Sequence, residues 1–142
     1  MSPETVQALN RLLAILCRSF PQYLQYSRPH VPKGRDDVLE SIEAMVTDQN
    51  TISDRINRLL SDSGSRRRTG DFPMEFTDLH DLSIDFLLKY AANYQEQDIA
   101  KIDEIVQQLR TAPAAKAIAE EALGMAKGHL DSLRDLTLAP AS

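Results

Sequence analysis

The stretch "DVLESIEAMVTDQNTISDRINRL", Asp37 to Leu59, decides the fold. Its apolar residues fall at 38, 42, 45, 52, 56 and 59, and the alternating steps of four and three are broken at a single place, Gln49. Such spacing keeps one face of an α-helix turned toward neighbouring helices. A neutral amide in the middle of that oily seam raises the question of what the seam encloses.

Working outward, Asp37-x-x-Glu40 resembles a capping box and opens this helix, which is expected over about 37–60. Before it, Ser2-Pro3-Glu4 supplies a cap, a first-position proline and an acidic first turn. Those signals open a helix over about 3–27, with Val6, Leu9, Leu13, Leu16 and Phe20 on its stripe. Pro21 should bend or break that helix locally, because it lacks an amide hydrogen and crowds the preceding turn. A third helix is expected over about 77–110, with Leu79, Leu82, Phe86, Leu87, Tyr90, Tyr94, Ile102, Ile105 and Leu109 as apolar positions. A fourth is expected over about 113–136, carrying Ile118, Ala122, Met125, His129, Leu133 and Leu136 on one face. The terminal "TLAPAS" is expected to fray.

The link around Thr111 to Pro113 is short enough to force a hairpin, and the link near Ser27 to Asp36 permits one. The segment from Ser61 to Phe76 can span ~50 Å at ~3.3 Å per residue, more than the ~30 Å length of a 20-residue helix. Two hairpins joined by one long crossover make an all-α, antiparallel four-helix bundle in a single domain over 1–142.

Composition narrows the function classes. The 142 residues suffice for one domain with a core, and five glycines with 6% aromatics disfavour an all-β fold. A formal charge of −5 disfavours a nucleic-acid surface, and Arg66-Arg67-Arg68 reads as a solvated run in a Ser/Gly-rich loop. One cysteine, Cys17, rules out an internal disulfide. No apolar run reaches the ~20 residues that cross a bilayer. The first residues lack a basic segment before an apolar block, so no signal peptide and a cytoplasmic location are expected. There is no Gly-x-Ser-x-Gly and no Gly-rich phosphate loop, and His30, His80 and His129 fall in no triad pattern.

The helix order, the crossover placement and the phrases "LNRLLAILCRSFPQYL" (9–24) and "EEALGMAKGHLDSL" (120–133) resemble small bacterial ferritin-like and rubrerythrin-like sequences. That resemblance implies a di-metal centre built from one carboxylate on each of two helices and Glu-x-x-His on each of the other two. On this chain the expected positions read otherwise. The first helix carries only Glu4, far from its middle, and Gln49 and Ile52 stand where the resemblance calls for glutamate and histidine. The third helix offers Asn93 or Tyr94, and adjacent Glu96 points ~100° away. Ala126 replaces the glutamate three residues before His129. A lone imidazole is a poor site for hard metals, so no metal and no cofactor are expected.

The polar residues left at the centre are Gln49, Tyr94, His129 and Cys17. His129 is expected to be neutral and bonded to a buried partner such as Tyr94 or Gln49, and Cys17 to pack as a small hydrophobe. The expectation is a non-catalytic bundle that has lost its metal centre and acts through protein contacts or as a homodimer. Leu12, Ile15 and Leu24 are the expected apolar surface for that dimer. The alternative is a small-molecule binder or an enzyme using the polar centre, and the third reading is a residual metal-dependent oxidoreductase.

Overall fold

A computed structural model describes residues 1–62, 64, 72–79 and 83–138, and those residues are helical without a strand among them. The basic run 66–68, His80, Leu82 and residues 139–142 of the tail lie outside the described residues. None of the described helices is long and apolar enough to cross a membrane.

The described residues form five α-helices where four were expected: α1 (Pro3–Cys17), α2 (Phe20–Ser27), α3 (Asp36–Asp62), α4 (Ile84–Gln108) and α5 (Pro113–Leu138). The first expected helix splits in two. Ser2 caps α1 by accepting the Thr5 amide at 3.1 Å. Ser19 then opens α2 in the same way, accepting the amide of Gln22 at 3.4 Å, with Pro21 in the first turn. Proline is tolerated there because first-turn amides have no partner inside the helix. The break imposed by Pro21 therefore falls ahead of it, at Arg18 and Ser19. α2 stops at Arg28, whose φ of 47° puts it in the left-handed region.

α3 begins at Asp36, so Asp37 is a first-turn acid rather than the cap. The third expected helix needs a larger correction. Met74–Leu79 forms a 3-10 turn, and α4 begins only at Ile84 behind Ser83. Six aromatic rings pin that turn. Phe76 packs on Phe20, Tyr23 and Tyr94 with centroids 4.9–5.4 Å apart, and Phe72 packs on Tyr23 and Tyr26. Edge and tilted contacts of this kind favour a fixed docking geometry over a loose one.

The register of α4 also differs from expectation. Ile84, Leu87, Leu88 and Ala91 are buried, whereas Phe86 and Tyr90 are 56% and 39% exposed. A second correction concerns the first helix: Leu12 and Leu24 are buried in the core, so they cannot form an apolar surface.

The core is two clusters rather than one. The first joins Leu9, Leu12, Leu13 and Leu16 of α1 to Ile52, Ile56 and Leu60 of α3, Ile102 and Ile105 of α4, and Ile118 and Ala122 of α5. The second joins Phe20 and Leu24 of α2 to Val38, Ile42 and Met45 of α3, Ile84 and Leu88 of α4, and Leu133 and Leu136 of α5. The early turns of α3 and α4 thus share a cluster with the late turns of α5, and their late turns share the other with its early turns. Arg35, itself buried, ties the end of α5 down by donating to the Leu136 carbonyl at 3.0 Å and facing Asp85 at 3.5 Å.

Candidate functional site

Between the two apolar clusters lies a layer of polar residues. Gln49 keeps its place on the α3 seam and is 2% exposed. Burial without a hydrogen bond would cost it ~1–3 kcal/mol, so a partner is required. The partner is Ser19, whose hydroxyl donates to Gln49 Oε1 at 3.0 Å. The same hydroxyl accepts the Gln22 amide, so the residue that caps α2 also meets the amide of α3.

His129 is 7% exposed and projects from α5. Its Nε2 lies 2.9 Å from Asp48 Oδ2, a carboxylate whose side chain is 58% exposed. Its Nδ1 is buried and has no hydrogen-bond partner among the described residues. The partner is therefore Asp48 and neither of the two expected ones, Tyr94 or Gln49. Asp48 sits beside the α3 seam, and its reach toward α5 depends on where α5 packs, which no single helix pattern shows.

Gln95, 3% exposed, occupies the inward position of α4 that Tyr94 was expected to share. Its Nε2 donates to the Ala126 carbonyl at 2.9 Å. The small side chain of Ala126 lets the amide reach the α5 backbone. Tyr94 instead turns to the crossover, where its ring packs on Phe20 and Phe76 and its hydroxyl bonds Glu75. Burial, and then the nearby Glu75 carboxylate, push the Tyr94 phenol above its ordinary value.

Cys17 is half-buried at the end of α1, with Sγ 3.9 Å from Ser53 Oγ. Glu96 lies on the outside and pairs with Arg134 at 2.5 Å. One further carboxyl occupies the α4 seam: Asp98, between Gln95 and Ile102. Burial pushes it up to about 6, and Lys101 pulls weakly the other way.

Sequence reasoning placed Gln49 and His129 and missed Ser19, Asp48, Ser53 and Gln95. Two signals pointed to the missed residues. Ser19 stands two residues before Pro21, the arrangement of a helix start. Gln95 falls on the step 91, 95, 98, 102, which competes with the aromatic stripe 86, 90, 94.

The donor set does not fit the di-metal centre that the resemblance implies. Among the described residues no three of His, Cys, Asp and Glu come together as a metal site. Gln49 is committed to Ser19, Ile52 is apolar, and Ala126 offers only a carbonyl that Gln95 engages. His129 with Asp48 supplies one nitrogen and one carboxylate, too few oxygen ligands for iron or manganese.

Compared with protein-family models, with curated proteins and with solved structures, the chain gives no match.

Among the concavities that the described residues line, two flank the helices without a residue of the polar layer. One of about 340 Å³ lies between α2 and α3, over Leu24, Arg28, Leu39 and Ile42. The other, of about 640 Å³, lies between the start of α1 and the end of α4, around Thr5, Gln107 and Arg110.

Proposed function

We propose that this chain is a non-catalytic antiparallel helical bundle of ferritin-like connectivity, without a di-metal centre, that acts through protein contacts or as a homodimer. The observation that carries the reading is that Gln49, Gln95 and His129 Nε2 each bond to a group of the protein itself. Ser19 is spent on Gln49, Gln95 on the Ala126 carbonyl and His129 Nε2 on Asp48. Catalysis needs groups free to meet a substrate, and these side chains are already engaged within the protein. The connectivity is supported by the order of helices within the two clusters and by the long passage from Asp62 to Ile84.

A second reading, a small-molecule binder at the polar layer, draws on one observation. His129 Nδ1 is buried without a partner, and a ligand group could supply one.

Metal analysis of protein purified without a metal-affinity tag tests the first reading. It should find less than one equivalent of iron, manganese or zinc. Stoichiometric metal retained after chelator treatment contradicts the reading. Light scattering across a concentration series tests the homodimer, and a monomer throughout removes it.

A further inference from the structure

The α3 seam is aliphatic on both sides of Gln49. α3 places Val38, Ile42 and Met45 in one and Ile52, Ile56 and Leu60 in the other. α5 differs, giving Ala115, Ala119, Ala122 and Ala126 to one cluster and Leu133 and Leu136 to the other. A slide of seven residues, ~10.5 Å at ~1.5 Å per residue, carries the seam positions 38, 42, 45 and 49 of α3 onto the places of 45, 49, 52 and 56, all aliphatic but Gln49. Cores tolerate such exchanges when volume and pattern are kept, so apolar burial along this seam leaves the register of α3 poorly determined.

The polar layer is not interchangeable in this way. At one level of the molecule, Ser19 at the start of α2 meets Gln49 of α3, Asp48 of α3 meets His129 of α5, and Gln95 of α4 meets the Ala126 carbonyl of α5. Three links join four helices in series, and no link lies within a single helix. A one-heptad slide of α3 would carry Gln49 away from Ser19 and Asp48 away from His129 together. The slid arrangement would leave buried amide and imidazole groups among leucine and isoleucine, where they find no partner.

We infer that this layer is a register lock: it selects one alignment of the helices and does not hold them together. Polar groups buried at a helix seam specify alignment at a cost in stability in the best-attested cases. This role goes beyond the proposed function and stands whether or not the chain has a partner.

The test is the triple substitution Gln49→Leu, Gln95→Leu and His129→Leu in the full chain. Ser19 is kept so that the α2 cap survives, and Asp48 is left at the surface. The expected result is a protein that melts at or above the parent temperature but gives doubled or broadened amide resonances along α3 and α5. Amide exchange within Val46 to Ile56 should rise about tenfold or more, reporting sub-global opening. Gln95→Leu alone leaves two links and should keep one sharp set of resonances. A triple variant with a single sharp spectrum and parental exchange overturns the inference. So does a triple variant that unfolds or melts well below the parent, because the layer would then supply stability. Doubling in the single variant overturns it as well, by placing the specificity in one residue.

Discussion

His129 Nε2 and Asp48 Oδ2 lie 2.9 Å apart, linking α5 to α3 across the layer that separates the two halves of the core. The imidazole is buried and the carboxylate faces solvent, so the bond forms at the edge of the interior. Its worth is limited by water around the carboxylate. Asp48→Ala should cost ~0.5–1 kcal/mol, the net worth of a hydrogen bond at the edge of the interior. His129→Ala, which also empties a buried volume, should cost ~2 kcal/mol or more. Urea unfolding of both single variants and the double variant checks this, and a coupling well above ~1 kcal/mol would show that the pair is stronger than its exposure allows.

Asp98 gives the molecule a pH dependence of definite sign. Its folded-state value is about 6 against an ordinary 3.8, raised chiefly by burial. The folded chain therefore holds this proton more tightly than the unfolded chain. Stability falls as pH rises from about 4 to about 6 and stays lowered above that. Asp98→Asn removes the penalty. The variant should be more stable than the parent by ~1–2 kcal/mol at about pH 8, and the difference should vanish near pH 4. Thermal melts at the two pH values measure it. An equal or opposite difference at both would show that the carboxyl is solvated in the fold.

Arg35 should be the costliest single polar residue to remove. Buried and donating to the Leu136 carbonyl, it closes the end of α5 against the starts of α3 and α4. Arg35→Ala should lose ~2–3 kcal/mol, since it leaves a buried carbonyl without its charged donor. Arg35→Lys should recover less than half of that loss, because an ammonium lacks the planar fork. Amide exchange should quicken first in the last two turns of α5.

Gly124 and Gly128 lie on the exposed side of α5, and a methyl group at either meets nothing within 4 Å. Each pays the entropy of a helical glycine with no packing or turn to justify it. Gly124→Ala and Gly128→Ala should each stabilise by ~0.5–1 kcal/mol. A loss of stability in either would reveal a surface that needs the glycine free.

How much of this was legible in the sequence depends on which helix is asked. The α3 seam was legible from 38 to 56, although at its end Leu60 is buried where Leu59 was expected. Most of the α5 face was legible too. α4 misled, because Phe86, Tyr90 and Tyr94 form a stripe as apolar as Ile84, Leu88 and Ala91. Bulk hydrophobicity does not say which of two stripes turns inward. Tertiary packing settled it, and with it the inward place of Gln95. The partner of His129 was hidden for a different reason. Asp48 belongs to no apolar pattern, and its bond exists only once α3 and α5 are aligned.

The central claim is that Gln49, Gln95 and His129 Nε2 are held by hydrogen bonds within the bundle and not by a metal. The most direct measurement is anomalous diffraction from crystals of the tag-free protein soaked in ferrous, manganous and zinc salts. No anomalous peak should stand at bonding distance from His129, Asp48 or Gln49, and the Ser19–Gln49 and His129–Asp48 bonds should remain. A metal bonded to His129, with Asp48 or Gln49 turned toward it, would contradict the account.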